Sequence, residues 1–257
     1  MIQYLFALTI SSVLFCQSAL ALPGKALPKV LRLEGVITAN TLTDFERRLS
    51  GWHNEDAFPA GLIVLLNSPG GDGEAAVKIG RLLRSKKAQV FVTGQCESAC
   101  VFVMAGGVVR AANGGTVGIH AGRITLTNQR GQILKEIDSS QSLSNSFRLT
   151  SFNSQAHQYF SEMGLNTGFI DAMLAHKTIQ TYKLSESEMR QYSVIGFEDQ
   201  YLRDRAQFFE KQSGKYKLNR IELFNRTLSV PSLCKTVTPN SAFIECFETV
   251  LTGLKDK

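Results

Sequence analysis

The stretch Asn67-Ser-Pro-Gly-Gly71 separates a strand pattern from a helix pattern. Before it, Gly61–Leu66 is a short apolar run typical of a buried parallel strand. After it, apolar residues recur at helical spacing between Glu74 and Arg84. A glycine turn between strand and helix can present backbone amides to a negative charge, although Pro and Gly also mark ordinary connections. The stretch predicts either an anion-binding turn or a plain strand-to-helix link.

Strand and helix patterns alternate on both sides of this turn. Val30–Ile37, Gln89–Thr93 and Thr116–His120 have strand patterns, and Asn40 or Thr41 is expected to cap a helix after the first of them. This order predicts an α/β fold in which crossover helices connect the strands of a parallel sheet.

The second half of the chain has a different pattern. Arg110–Gly115 predicts a turn-rich link, and Arg123–Thr127 with Gln132–Lys135 predicts a hairpin. A long helix is expected from about Ser139 to Met163. After Tyr201 the chain becomes charged, and we expect a small helical appendage at its end.

Length and charge limit the classes of protein. The 257 residues fit one large domain, which we place at residues 22–203, followed by a C-terminal extension at residues 204–257. The net charge is +6, but Lys and Arg are scattered and form no basic stripe. We therefore expect no nucleic-acid partner.

The first residues have the pattern of a secretory signal peptide. Tyr4–Cys16 is an uncharged apolar run, and Ala19 with Ala21 forms an Ala-x-Ala cleavage pattern. The alternative, a retained anchor helix, is disfavoured because the run is short for a membrane span. We expect residues 1–21 to be removed and the mature protein, with no further span, to be periplasmic or secreted.

Export decides how the cysteines are interpreted. Cys16 would leave with the signal, and Cys96, Cys100, Cys234 and Cys246 remain as an even set in an oxidising compartment. Proximity in sequence favours the pairs Cys96–Cys100 and Cys234–Cys246 among three possible pairings. The rival interpretation is a metal site, but no His stands near either pair at zinc-site spacing. We expect neither a metal nor a cofactor.

Three candidate site residues follow successive strands of the predicted sheet. Gly71, Ser98 and His120 each stand at the carboxyl end of a strand, where sites of parallel sheets form. Ser98 would be a nucleophile whose proton His120 accepts, and the amides of Gly71 and Ala99 would bind an oxyanion. The simpler alternatives are that Ser98 caps a helix and that His120 is an ordinary hydrogen-bonded strand residue.

These residues occur in motifs of a known family. The chain resembles the Clp protease proteolytic subunit and its relatives in the ClpP/crotonase superfamily from about Val30 to Asp199. The separation of Ser98 and His120 also matches that subunit. The motifs that carry the resemblance are Leu66–Gly71, Gly94–Ala99, Ala105–Gly106 and Ile119–His120.

The resemblance implies a ClpP/crotonase-like spiral of ββα units around a parallel sheet. It also implies serine peptidase chemistry on peptide or protein substrates and assembly into a homo-oligomer. It gives Ser98 the nucleophile role, His120 the base role, and Gly71 and Ala99 the oxyanion role. The signal peptide and the Cys-Glu-Ser-Ala-Cys form of residues 96–100 are similar to exported ClpP-like proteins rather than to the cytoplasmic protease.

The chain departs from the family pattern at the third member of the triad. The position of the family's aspartate falls at or near Lys177, and Asp171 on the preceding predicted helix is the candidate substitute. Asp72, next to the glycine turn, would oppose an oxyanion if its carboxylate faced the hole. The missing aspartate keeps one alternative open, a catalytically inactive member of the fold that binds peptides or partners. A further alternative, an acyl-CoA enzyme of the crotonase type, ranks last because an exported protein would not meet CoA.

Overall fold

Strand β2 (Leu62–Ser68) is the buried strand that the sequence predicts before the glycine turn. It pairs in parallel with β1 (Lys29–Glu34) on one side and with β3 (Gln89–Glu97) on the other. Its first five residues are buried because a central strand of a parallel sheet is covered on both faces. The structure is a computed structural model that describes residues 28–52, 61–128, 133–137, 142–178, 180–211 and 218–253.

Strand β3 extends the sheet through two neighbours. Its first half pairs in parallel with β4 (Val109–Ala111) and its second half with β5 (Thr116–Ile119). Two short strands then pair in antiparallel fashion, β8 (Tyr182–Lys183) with β5 and β9 (Gly196–Phe197) with β4. The predicted hairpin forms a separate two-stranded sheet and is confirmed. Its strands are β6 (Ile124–Thr127) and β7 (Ile133–Ile137).

The helices cover both faces of the sheet. In the described ranges they are α1 (Ala39–Leu49), α2 (Gly73–Ser85), α3 (Cys100–Ala105), α4 (Leu143–Glu162), α5 (Gly168–Ala175), α6 (Glu186–Gln191), α7 (Asp199–Lys211), α8 (Arg220–Cys234) and α9 (Asn240–Thr252).

Successive residues of the central strands point alternately into two hydrophobic cores. Leu62, Val64 and Leu66 belong to the first core, which contains residues of α1 to α6. Ile63 and Leu65 belong to the second core, which contains residues of α7, α8 and α9. This alternation confirms the predicted α/β class, a parallel sheet with helices and a C-terminal helical appendage.

Helices α2 and α3 meet at two glycines. A Cβ on Gly80 would lie 1.9 Å from the Tyr159 hydroxyl oxygen and 2.7 Å from the Phe102 carbonyl oxygen. A Cβ on Gly106 would lie 2.2 Å from the Gly80 carbonyl oxygen. The Tyr159 hydroxyl donates to the Phe102 carbonyl at 2.6 Å, and burial raises the pKa of Tyr159 so that the hydroxyl keeps its proton. The contact leaves no space for a side chain at Gly80.

Strand β4 is an element that the sequence did not predict, since Arg110–Gly115 was expected to be a turn-rich link. The charged Arg110 interrupts the apolar pattern that would indicate a buried strand. Arg110 is nevertheless only 3% exposed. Its guanidinium donates to the carbonyls of Gly107, Met163 and Ser193. Burial, with the nearby Arg84, lowers the pKa of Arg110 to about 10. Three carbonyls replace part of the water that a buried cation loses, and Nε of Arg110 has no hydrogen-bond partner among the described residues.

Two helix predictions also differ from the structure. Helix α1 is capped by Thr38, which exchanges hydrogen bonds with Thr41 as a capping box, so the expected caps at Asn40 or Thr41 were wrong. Helix α8 was missed because Pro231 lies inside it and usually ends a helix. Pro231 is itself buried, and burial of Leu223, Leu228 and Val230 in the second core outweighs the missing hydrogen bond.

The predicted domain boundaries stay predictions. The signal peptide at residues 1–21 lies outside the described residues. The boundary between residues 203 and 204 falls inside α7, which shares the second core with α8 and α9. Within the described ranges, no helix combines the length and the apolar character that a membrane span requires.

Replacement of Gly80 by Ala tests the contact between α2 and α3. Gly→Ala inside a helix normally stabilises a protein by about 0.5–1 kcal/mol. Here we expect a loss of about 1–3 kcal/mol in the free energy of unfolding, measured by urea denaturation, because the new methyl overlaps Tyr159 and Phe102. The control Lys78→Ala, on the exposed side of the same helix, should stay within about 0.5 kcal/mol. A Gly80→Ala variant as stable as the parent would contradict this packing.

The pair Cys234–Cys246 joins the end of α8 to α9, with the two Cα atoms 6.0 Å apart. The bond closes a short loop and constrains the unfolded chain. We expect the double variant Cys234→Ala/Cys246→Ala to lose about 2–3 kcal/mol of stability in the same denaturation experiment. A reducing agent can break the Cys234–Cys246 bond only in the parent, so the double variant should show no loss of stability from this pair when the agent is added. Equal stability of the parent and the double variant would refute the contribution of the bond.

Candidate active site

Two side chains shape the stretch between β2 and α2. The amide oxygen of Asn67 accepts a hydrogen bond from the backbone N–H of Gln95 at 3.1 Å, which joins the end of β2 to β3. The hydroxyl of Ser68 accepts from the N–H of Gly70 at 3.1 Å. A Cβ on Gly94 would lie 2.3 Å from the Asn67 amide oxygen, so Asn67 fits only beside a glycine. The sequence Asn-Ser-Pro-Gly-Gly therefore specifies a turn held against the neighbouring strand.

Gly70 brings this turn into direct contact with the candidate nucleophile. A Cβ on Gly70 would lie 2.6 Å from the Glu97 carbonyl oxygen, 2.8 Å from Ser98 Cβ and 2.9 Å from the Ala99 amide nitrogen. Its φ of +99° is also a conformation that glycine adopts without strain. Sequence reasoning singled out Gly71 and missed Gly70 as the residue that touches Ser98.

Gly71 lies between the turn and the segment after β1. The N–H of Ile37 donates to the Gly70 carbonyl at 2.8 Å, and the N–H of Asp72 donates to the Ile37 carbonyl at 2.9 Å. Amides of successive extended residues point to opposite sides, so the Gly71 amide points away from Ile37. Among the described residues it has no hydrogen-bond acceptor.

Ser98 occupies a strained turn between β3 and α3. Its φ is +53°, a conformation that residues other than glycine rarely adopt. Its N–H donates to the Gly118 carbonyl at 2.9 Å, which ties the turn to β5. The helix cap residue is Ala99, without a side-chain cap bond, so the alternative in which Ser98 caps α3 was wrong. Strained strand-to-helix turns of this kind expose serine nucleophiles in hydrolases.

The amide of Ala99 is the second candidate oxyanion donor. Ala99 is 4% exposed and stands at the start of α3, where amides have no partner within the helix. Its amide has no acceptor within the described part of the chain. Glycine at position 70 leaves space beside the Ala99 nitrogen, because a Cβ there would lie 2.9 Å from it.

The pair Cys96–Cys100 encloses the Ser98 turn. Its two Cα atoms are 5.1 Å apart, and both residues are fully buried. The bond joins the last part of β3 to the first residue of α3, so Glu97, Ser98 and Ala99 form the interior of a small covalent ring. A ring of this size restricts the conformations open to the strained Ser98 backbone.

His120 follows β5 directly. Ser98 and His120 therefore leave two neighbouring parallel strands at the same edge of the sheet. The Nδ1 atom of His120 lies 2.6 Å from the Ala121 carbonyl oxygen. A carbonyl only accepts, so Nδ1 carries the proton and Nε2 is left as the basic nitrogen. Between described residues, the Ser98 hydroxyl and the His120 ring have no hydrogen bond to each other.

Among the described residues, neither candidate for the third triad position makes a hydrogen bond to the His120 ring. Asp171 is exposed in the first turn of α5 and, among described groups, makes no hydrogen bond to His120. The backbone at His176 and Lys177 runs beside the segment after His120: the Ala121 N–H donates to the His176 carbonyl at 2.8 Å. The segment of Lys177 therefore lies beside the segment that follows His120, and the role of Asp171 stays a prediction.

The carboxylate of Asp72 has a structural role. It accepts a hydrogen bond from the Ala75 N–H at 3.0 Å and caps α2. Aspartate is a favoured cap residue because its oxygen satisfies an unpaired amide of the first helical turn. The concern that this carboxylate opposes an oxyanion is therefore reduced by its engagement with α2.

Within the described ranges, no group of three or more His, Cys, Asp and Glu side chains is placed so that it could hold a metal ion. The four candidate cysteines are instead joined as the two pairs that proximity favours.

Comparison with known proteins gives structural likeness only. No family model matches the chain, and no curated protein matches it. A mutant of ClpP1 from Listeria monocytogenes is 15% identical, with a TM-score of 0.48 over 65% of this chain and 88% of that one. The ClpP1 of the same organism is 17% identical, with a TM-score of 0.45 over 65% and 88%.

A mutant of the 1510-N membrane-bound stomatin-specific protease is 22% identical, with a TM-score of 0.45 over 66% of this chain and 78% of that one. At these identities a likeness concerns the fold alone, and the geometry of this chain's own residues must support any activity. The chain is similar in fold to ClpP-type structures.

Proposed function

We propose that the protein is an exported serine hydrolase, a peptidase, that acts through an acyl-enzyme on Ser98. The observation that carries this proposal is the contact between two turns. Ser98, strained at φ +53°, lies against Gly70, and within the described residues the amides of the adjoining Gly71 and Ala99 have no hydrogen-bond acceptor. A structural serine needs neither the strain nor the adjacent unpaired donors.

In the proposed reaction, Ser98 Oγ attacks the carbonyl carbon of a peptide bond while its proton passes to Nε2 of His120. The carbonyl oxygen becomes an oxyanion that accepts hydrogen bonds from the amides of Gly71 and Ala99. His120 then gives the proton to the leaving amine, which departs and leaves an acyl-enzyme. Water, deprotonated by His120, releases the acid and restores Ser98.

The bond from His120 Nδ1 to the Ala121 carbonyl supports the base role of His120. In a serine triad the carboxylate holds the tautomer and orientation of the imidazole. Here a backbone carbonyl fixes the same tautomer, although it carries no full negative charge to stabilise the imidazolium. This arrangement supports a functional but slower base than that of a complete triad.

The export, assembly and substrate of the protein are parts of this proposal. The two disulfide pairs are compatible with an oxidising compartment, periplasmic or extracellular. We infer that the substrate is a peptide or protein and that the protein forms a homo-oligomer.

Labelling with a fluorophosphonate tests the nucleophile. Ser98 Oγ forms a bond to phosphorus, fluoride leaves, and the proton passes to His120. We expect a single adduct on Ser98 of the folded protein, located by peptide mass spectrometry. Ser98→Ala should abolish labelling, and His120→Gln should slow it by about 100-fold or more.

The outcome also decides between this proposal and a second candidate, an inactive peptide- or partner-binding protein of the same fold. The absence of a described hydrogen bond between the Ser98 hydroxyl and the His120 ring favours that candidate. Absence of any adduct on Ser98 in folded parent protein would support it and refute the hydrolase. A peptide-binding protein should also retain binding in the Ser98→Ala variant.

Replacement of Gly70 by Ala tests the oxyanion hole separately. The methyl group would lie within 3 Å of Ser98 and the Ala99 amide nitrogen, so we expect labelling to slow by roughly 10-fold or more. Gly35→Ala is the matched control: Gly35 also has a positive φ, +79°, but a Cβ there meets no atom within 4 Å. Equal labelling rates in the two variants would show that backbone strain, rather than the hole, causes any loss.

A further inference from the structure

Glu97, the residue before Ser98, holds a carboxylate on the face of the sheet that carries His120. Glu97 pairs with Gly118 across β3 and β5, and paired residues place their side chains on the same face. His120 is two residues after Gly118 and so has the same orientation, because side chains alternate along a strand. The register therefore directs Glu97 and His120 to one face at one edge of the sheet.

Gly118 makes the space that the Glu97 side chain occupies. A Cβ on Gly118 would lie 3.2 Å from Glu97 Cγ and 3.0 Å from Thr181 Oγ1. Without that Cβ, Glu97 reaches across β5 to β8, where the Thr181 hydroxyl donates to one carboxylate oxygen at 2.8 Å. The Lys183 ammonium donates to the other oxygen. Both oxygens are held, and the rotamer of Glu97 is fixed.

The position of Thr181 brings this network next to His120. Gly118 pairs with Lys183 and Ile119 with Tyr182, so the register continued by one residue puts Thr181 opposite His120. Glu97 thus extends toward the residue that faces the histidine. The Glu97 side chain is 17% exposed, and that of Lys183 is 48% exposed. The carboxylate is the more sheltered of the two charges, and water screens it less.

The charge of Glu97 is present at neutral pH. Burial opposes its ionisation, but hydrogen bonds from Lys183 and Thr181, the charge of Lys183 and the nearby His120 together hold the pKa of Glu97 below its usual value. Among the described residues, the other charged or titratable groups along this edge are Arg123, His176, Lys177 and Tyr182, whose hydroxyl donates to Glu188. Arg123 pairs with Glu136 and with the Lys177 carbonyl, so Glu97 is the acid that faces the His120 side of β5.

We propose that Glu97 is the positioning carboxylate of His120 and supplies, by its charge, what the aspartate of the family pattern would supply. It acts through space rather than through Nδ1, whose proton the Ala121 carbonyl holds. It stabilises the imidazolium that forms when His120 takes the Ser98 proton. Thr181 and Lys183 keep the carboxylate in place, and Lys183 offsets part of its charge. This inference rests on the proposed hydrolase function.

Two substitutions of opposite sign test the inference. Glu97→Gln keeps an oxygen for Thr181 but removes the charge. We expect the fluorophosphonate labelling rate to fall about 3- to 10-fold and the pH of half-maximal rate to move down by roughly 0.5–1 unit. Lys183→Gln leaves the carboxylate uncompensated, so that half-maximal pH should move up. A loss of structure would not shift the two variants in opposite directions.

Glu186→Gln is the matched control. It removes a carboxylate from the ion pair with Arg190 on α6, which has no described contact with His120 or Ser98. We expect its rate and pH profile to equal those of the parent. Identical profiles for Glu97→Gln, Lys183→Gln and Glu186→Gln would overturn the inference even if Ser98 is labelled. Thermal unfolding of each variant shows that the compared proteins are folded.

A second readout separates this inference from the proposed function. The ring signals of His120, assigned by their loss in His120→Gln, are followed by NMR as the pH changes. We expect their midpoint to move down in Glu97→Gln and up in Lys183→Gln, whether or not Ser98 reacts. If the parent is not labelled but the midpoints move in these directions, the proposed hydrolase function is refuted and the charge pairing of Glu97 with His120 is supported. Unmoved midpoints overturn the pairing.

Discussion

The close approach of Gly70 to the backbone of Ser98 is the contact on which the site depends. It requires parallel pairing of β2 with β3, and it requires glycine on one side. Asn67 and Ser68 shape the turn that makes the contact, and the Cys96–Cys100 bond constrains the backbone it meets. Each feature acts on the position of the same few backbone atoms, so the backbone around the candidate oxyanion donors is held by the fold itself.

Hydrogen bonds to main-chain atoms perform much of the positioning around the sheet edge. The Ser98 amide is held by Gly118, and the His120 ring by the Ala121 carbonyl. Glycine at position 118 then leaves a gap through which a side chain of β3 reaches β8. The edge therefore combines a backbone-oriented histidine with a carboxylate from a neighbouring strand, where a complete serine triad would use one aspartate for both tasks.

The helices behind the site are joined by two cations, the half-buried Arg84 and the buried Arg110. Arg84 donates to the carbonyls of Ala105 and Met163, and Arg110 also donates to the Met163 carbonyl. These carbonyls stand at or beside the ends of α3 and α4, where helix carbonyls lack partners. On the other face of the sheet, α7, α8 and α9 cover the strand residues that would otherwise expose an apolar surface. The extension is thus a helical layer of the same sheet.

The sequence by itself determined the alternation of the first strands and helices, the parallel sheet, the cysteine pairs that proximity favours and three residues at strand ends. These depend on local periodicity and on turn chemistry, which neighbouring residues carry. Only the tertiary structure decided which glycine touches Ser98, which atom orients His120 and which carboxylate lies on its face, because register between distant strands sets these contacts. Arg110 lies in a buried strand and Pro231 inside a helix, although their residue types predict a loop and a helix end. The glycine turn could be identified from the sequence, but the direct contact of its Gly70 with Ser98 could not.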